Sequence, residues 1–326
     1  MQNYELLREK VLLLEQIMTS LSNRHIKELA ALQGFDLCGI TPGKHFAENE
    51  AYFKAWLEKG YNSSLGYMGR YLDRRFDVRR LVEGAQTVVV CAISYKNRVS
   101  EGYPQEFRTR VASYACTRDY HQTIKEMLSA LFEALQQEYP EVKGRCFVDT
   151  APLLEKQLAV EAGLGWIGRQ SLLITPKFGS FVLLGELVLT LPADKYDTPF
   201  EGSRCGRCRN CLESCPTQAI VEPKVIDTSR CISCRTIEKE MPGRTDLAGW
   251  IFGCDRCQSC CPHNQKALMH TSPRMDPLFD PLCITPEEWL AMGEEEFFDR
   301  FADTPLTRSG LERIQRNVRQ NLEPVE

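Results

Sequence analysis

The 326 residues include 43% hydrophobic and 26% charged side chains, with a formal net charge of −4. That composition fits a soluble globular chain with a real core and gives no overall basic field for nucleic acid. No apolar run approaches the roughly 20 residues of a membrane span, and no leader pattern opens the chain. A cytoplasmic protein with no membrane partner is expected, and fifteen cysteines in a reducing compartment argue for metal binding over disulfides.

Residues 2–20 have the apolar spacing of a helix. A second helix runs from about Asn23 to Gln33 and stops at Gly34, where a helix end favours glycine. A short strand follows over Asp36 to Thr41. Thr87 to Ser94 is a continuous, β-branched apolar run, the pattern of a strand buried on both faces. A helix is predicted near His121 to Tyr139, and a strand from Cys146 that ends on Asp149. Leu153 to Ala162 reads as a helix, and Ser180 to Leu191 as one or two strands. The polar segment Pro192 to Ser203 is a candidate joint, and the tail from Pro286 is helical, with Leu311, Ile314 and Val318 on one face. The expected organisation is α+β: an extra helix (1–22), a mixed α/β domain (23–195), a ferredoxin-like two-cluster domain (196–283) and a helical tail (284–326).

Ten of the fifteen cysteines lie between Cys205 and Cys261. The first run, Cys205-x2-Cys208-x2-Cys211-x3-Cys215-Pro216, is the bacterial ferredoxin spacing, in which the fourth cysteine turns away to ligate the other cluster. The second run is Cys254-x2-Cys257-x3-Cys261-Pro262, with Cys231 upstream. By the same exchange, one [4Fe–4S] cluster takes Cys205, Cys208, Cys211 and Cys261, and the other takes Cys215, Cys231, Cys254 and Cys257. The competing reading is zinc, from Cys231-x2-Cys234 and Cys254-x2-Cys257, but it leaves the first run without a purpose. Cys234 and Cys260 are surplus. Gly163-x-Gly165-x-x-Gly168 matches a dinucleotide fingerprint in letters only, because a helix and not a strand precedes it. Its glycines are expected to admit something flat and large.

Several strings are familiar together: Arg118-Asp119-Tyr120-His121, Val148-Asp149-Thr150-Ala151-Pro152, Ala162 to Trp166, Gly185-Glu186-Leu187, Cys231-Ile232-Ser233 and Gly253-Cys254-Asp255. In this order, with the double cluster, the chain resembles the epoxyqueuosine reductases from about Asn23 to Asn321. The resemblance implies reduction of the epoxide of epoxyqueuosine, at the wobble position of a tRNA, to queuosine. It also implies cobalamin beside two [4Fe–4S] clusters, a nitroreductase- or reductive-dehalogenase-like cobalamin-binding domain, and an unidentified reductant such as a flavodoxin or ferredoxin. Asp149 matches the family's proton donor, which needs burial to raise its pKa; an aspartate there is also an ordinary cap for a helix starting near Pro152. Arg75, Ala112, Leu173, Leu184, Ser233 and Asp255 match cobalamin-contact positions, and Tyr120 and His121 are candidates to shape the pocket. No His stands in the Asp-x-His-x-x-Gly string of cobalamin mutases, so no protein histidine is expected below cobalt.

The chain departs from the family at Cys234 and Arg235, where an aromatic residue and leucine are usual, and in a shorter stretch between Cys231 and Cys254. It also lacks the C-terminal helical-repeat extension of longer members. Two alternatives remain: a corrinoid reductase of a small molecule, or a ferredoxin-type electron carrier. The first lacks the twin-arginine signal usual in such enzymes, and the second has no use for the domain before the clusters. Basic stretches at Arg74, Arg75, Arg79 and Arg80, at Arg204, Arg207 and Arg209, and at Arg308, Arg313, Arg316 and Arg319 are candidate phosphate contacts or solvated faces.

Overall fold

The computed structural model describes residues 20–238 and 243–323; nearly all of the helix expected over residues 2–20 lies outside them. Helix α1, Asn23–Leu32, is capped by the Ser22 side chain and ends where Gly34 takes a positive φ of 94°. Strand β1, Leu37–Pro42, leads to helix α2, Ala47–Glu58. Helix α2 buries none of its residues, so its sequence has no apolar stripe to announce it.

Strand β2, Thr87–Ser94, is buried at every position. A two-residue strand β3, Arg110–Val111, precedes helix α3, Tyr120–Glu138, which Asp119 caps. Strand β4, Gly144–Phe147, helix α4, Glu155–Glu161, and strand β5, Val182–Leu189, complete the first half. Beyond them lie helix α5, Ile232–Ile237, strand β6, Trp250–Phe252, and the tail helices α6, Pro286–Ala291, α7, Glu294–Phe301, and α8, Leu311–Leu322.

Strands β1, β2, β5 and β4 form one antiparallel sheet in that order. Because side chains alternate across a strand, Leu187 and Leu189 of β5 join the core under α1 and α3, while Val188 joins the core under α4. A side chain at Gly185 would collide with Ile124 and Leu128 of α3, so glycine there sets how closely that helix lies on the sheet.

The tail belongs to a second core. Leu311, Ile314 and Val318 pack with Val111, Ile251, Phe252 and Trp289, and fully buried Asn317 donates to Thr236 O at 3.0 Å and Ile251 O at 2.8 Å. Residues 163–168 differ from expectation. The string follows helix α4, and a Cβ at Gly163 would strike the Thr198 carbonyl and one at Gly165 the Ile174 carbonyl. Gly163 and Gly165 admit neighbouring backbone, and Gly168 admits the side chains of Gln170 and Ile174. Among the described residues no helix is long and apolar enough to cross a membrane.

Candidate active site and cluster cavities

Two cavities divide between them nine of the ten cysteines from Cys205 to Cys261; Cys260 lines neither. A cavity of about 200 Å³ is lined by Cys205, Cys208, Cys211 and Cys261, with Arg169, Arg204 and His263 at its rim. A cleft of about 970 Å³ has Cys215, Cys231, Cys254 and Cys257 in its wall, and Cys234 beside them. Among the described residues, no three His, Cys, Asp or Glu side chains close on the space of a single metal ion.

The rest of the cleft is a mostly apolar wall that includes Phe53, Trp56, Ile167, Leu172, Val182 and Leu183. Ser233 and Asp255 line it as well. Asp255 is rigid: Oδ2 accepts Ser113 N–H at 2.7 Å and Oδ1 accepts Gln258 Nε2 at 3.2 Å, while burial pushes its pKa up. Arg75 turns into the cleft and not to the surface. Its guanidinium lies 5.2 Å from the Phe53 ring centre, and burial lowers its pKa. Arg75 Nε and Gln170 Nε2 are wall atoms buried without a hydrogen-bond partner; such groups call for an occupant that accepts from them. Ala112, Leu173 and Leu184 are not in the wall. Ala112 packs with Ile232 and Trp250, and the two leucines belong to the core under α4.

Asp149 is not itself in the wall of this cleft but is hydrogen-bonded to two residues that are, Tyr120 and Glu155. The pleat of β4 ends at Phe147 because Asp149 takes φ 53°, a left-handed turn. It caps no helix, since α4 begins at Glu155 after Leu154. The wall residue Tyr120 donates its hydroxyl to Asp149 Oδ2 at 2.7 Å, and His121 Nε2 lies 3.3 Å from the same oxygen. On its other side, His121 Nδ1 is 2.8 Å from Asp119 Oδ1. The first turn of α3 thus supplies the partners of a turn far along the chain.

The electrostatics correct one expectation. The Asp149 side chain is 45% exposed, and the His121 hydrogen bond holds its pKa below the usual carboxylate value against the opposing effect of burial, with Tyr120 adding to the lowering. Burial pulls the His121 pKa down, but the bonds to Asp119 and Asp149 outweigh it and lift the imidazole to about 9. At neutral pH the proton rests on His121 between two carboxylates. Sequence order hides this arrangement, although all three side chains stand within the strings singled out.

A family model described as epoxyqueuosine reductase QueG, DUF1730 matches residues 75–150, and one described as a 4Fe-4S double cluster binding domain matches residues 204–264. The second match removes the zinc reading. An epoxyqueuosine reductase of Cyclobacterium marinum is 40% identical over 303 residues, covering 90% of this chain and 94% of the relative. One from Leadbetterella byssophila is 39% identical, covering 91% and 97%. Among solved structures, an epoxyqueuosine reductase with a tRNA-Tyr epoxyqueuosine-modified stem loop superposes with a TM-score of 0.83 at 29% identity, over 92% of this chain and 80% of that one. A Bacillus subtilis epoxyqueuosine reductase, solved with its catalytic loop swung out of the active site, gives 0.83 at 28% over the same shares, 92% and 80%. The chain belongs to the epoxyqueuosine reductases, a family of oxidoreductases.

Proposed function

We propose that the enzyme reduces the epoxide of epoxyqueuosine to queuosine at the wobble position of a tRNA, with cobalamin in the cleft and Asp149 delivering the proton. One observation carries the reading: a single large cleft has five thiols in its wall, and its wall residue Tyr120 is hydrogen-bonded to Asp149, which His121 also contacts. The stem loop bound to a relative supports the substrate.

Cys205, Cys208, Cys211 and Cys261 would hold one [4Fe–4S] cluster, and Cys215, Cys231, Cys254 and Cys257 the other. Arg75, Gln170, Ser233 and Asp255, with the apolar wall, would hold cobalamin; Arg75 Nε and Gln170 Nε2 fit it because they are buried donors still lacking acceptors. When bound, these groups supply the two electrons of the reduction, drawn from a reductant such as a flavodoxin or ferredoxin. Two protons accompany them, and the epoxide oxygen leaves as water.

The protein's own task is the proton. His121 Nε2 passes it to Asp149 Oδ2, and Asp149 hands it to the departing oxygen. Tyr120 aims Oδ2 toward the cleft, and Asp119 steadies the imidazolium that holds the proton between turnovers. The half-exposed position of Asp149 suits a group that must meet a substrate.

The test is anaerobic reconstitution of the clusters, titration with cobalamin, and turnover of tRNA bearing epoxyqueuosine. Asp149→Asn should keep the cluster and cobalamin spectra and lose activity by about a hundredfold or more. Full activity in that variant would remove its role. Absence of a bound cobalamin spectrum would overturn the cofactor assignment, and cobalamin binding without tRNA reduction would favour a small-molecule substrate.

A further inference from the structure

Beside Asp149 lies a second acidic pair that the proton path does not use, and one of its members, Glu155, lines the cleft. Glu155, the first residue of α4, turns back so that Oε1 accepts the Asp149 N–H at 2.6 Å. This bond grips the backbone, whereas Tyr120 and His121 grip the side chain. Glu186, in the middle of β5, is fully buried, and neither of its carboxyl oxygens has a hydrogen-bond partner in ordinary geometry. Strand alternation turns it with Val188 toward α4, and its carboxyl comes up beside that of Glu155. Its charged neighbours are both acidic, Glu155 and Asp149. A buried carboxyl with only like charges beside it keeps its proton. Burial and these two neighbours raise the Glu186 pKa well above its usual value, in line with that geometry.

We infer that Glu186 donates a hydrogen bond to Glu155, fixing Glu155 as the acceptor that holds the Asp149 backbone in its left-handed turn. Both glutamates are then positioning residues for proton delivery, an inference that rests on the role given to Asp149. The logic is mechanical. An L residue at φ 53° occupies a region it seldom visits, so the surroundings must hold it there. Glu155 can do so only if its carboxylate is aimed, and Glu186, a neutral acid on the centre of the sheet, is placed to aim it, with Lys156 and His121 as the cationic groups that also act on Glu155.

The experiment uses the reconstituted holoenzyme and tRNA bearing epoxyqueuosine. Glu186→Leu removes the donor and should lower kcat about tenfold with KM for the tRNA within about twofold of wild type. Glu186→Gln restores a donor of the same shape and should rescue most of that loss. Should Glu186→Leu fail to fold, as read by iron content, Glu155→Ala removes the acceptor at the end of the chain and should give the same kcat-only loss. Equal loss in the Gln and Leu variants, or wild-type kcat in either Glu186→Leu or Glu155→Ala, overturns the inference. Asp149→Asn runs alongside: if it is inactive while Glu186→Leu is fully active, only the positioning role falls, whereas a fully active Asp149→Asn removes the proton-delivery reading and this inference with it.

Discussion

His121 binds its proton more tightly in the folded chain than in the unfolded one, and that difference has a sign. An imidazole lifted from 6.5 to about 9 contributes stability fully below its unfolded value, and the contribution drains away as pH climbs through about 9. Asp119 and Asp149 act in the opposite direction. Burial opposes the Asp119 shift, but its bonds to His121 prevail, and both aspartates sit below their ordinary 3.8. Their contribution is present above that value and is lost as pH falls through the lower folded pKa values. On the proposed path the same proton feeds the reaction, so single-turnover reduction should decline above about pH 9, and His121→Asn should remove that limb while slowing the step about tenfold. A wild-type rate that stays flat from about pH 7 to about pH 10 would count against His121 as the proton's resting place. Sequence offered Asp119 and His121 in one short string and Asp149 in another, and left their joint use open. Only the approach of the turn after β4 to the first turn of α3 puts carboxylates on both ring nitrogens, and no local pattern encodes a pairing of that range.

Elements with a strong period were the legible part of the fold. Strand β2 and helices α1 and α3 fall within a residue or two of their expected bounds, because each has a continuous or one-sided apolar pattern. Helix α2 has none, and β4 stops short of Asp149 because a left-handed residue cannot continue a pleat. The cobalamin-contact positions illustrate a finer limit. Leu172 and Leu183 line the cleft while Leu173 sits in the core under α4 and Leu184 packs against it; Val182 lines the cleft beside Leu183, so an apolar run alone does not tell such neighbours apart. Helix α8 gives a test at this scale. Asn317→Leu strands two buried carbonyls, on α5 and β6, each worth about 1–3 kcal/mol when left unpaired. The midpoint of chemical denaturation should fall accordingly, and an unchanged midpoint would mean the carbonyls find other donors.

Over the whole molecule, the two cysteine runs are laced together: Cys261, from the second run, shares a cavity with the first, and Cys215 crosses the other way. Cys261→Ser should therefore weaken the cluster of Cys205, Cys208 and Cys211, lowering iron from about eight to about four per chain and leaving the cluster beside the cleft. Loss of the signal from the cleft-side cluster instead would reverse the assignment. The lacing also sets a length. Cys211 lines one cavity and Cys215, four residues on, lines the other, joined by the short helix Asn210–Glu213. With both clusters bound, the gap an electron crosses thus has an upper limit set by a four-residue stretch of backbone, whatever the packing of the cores. Warming or mild denaturant that loosens the sheet could then part the two clusters by no more than that short stretch allows.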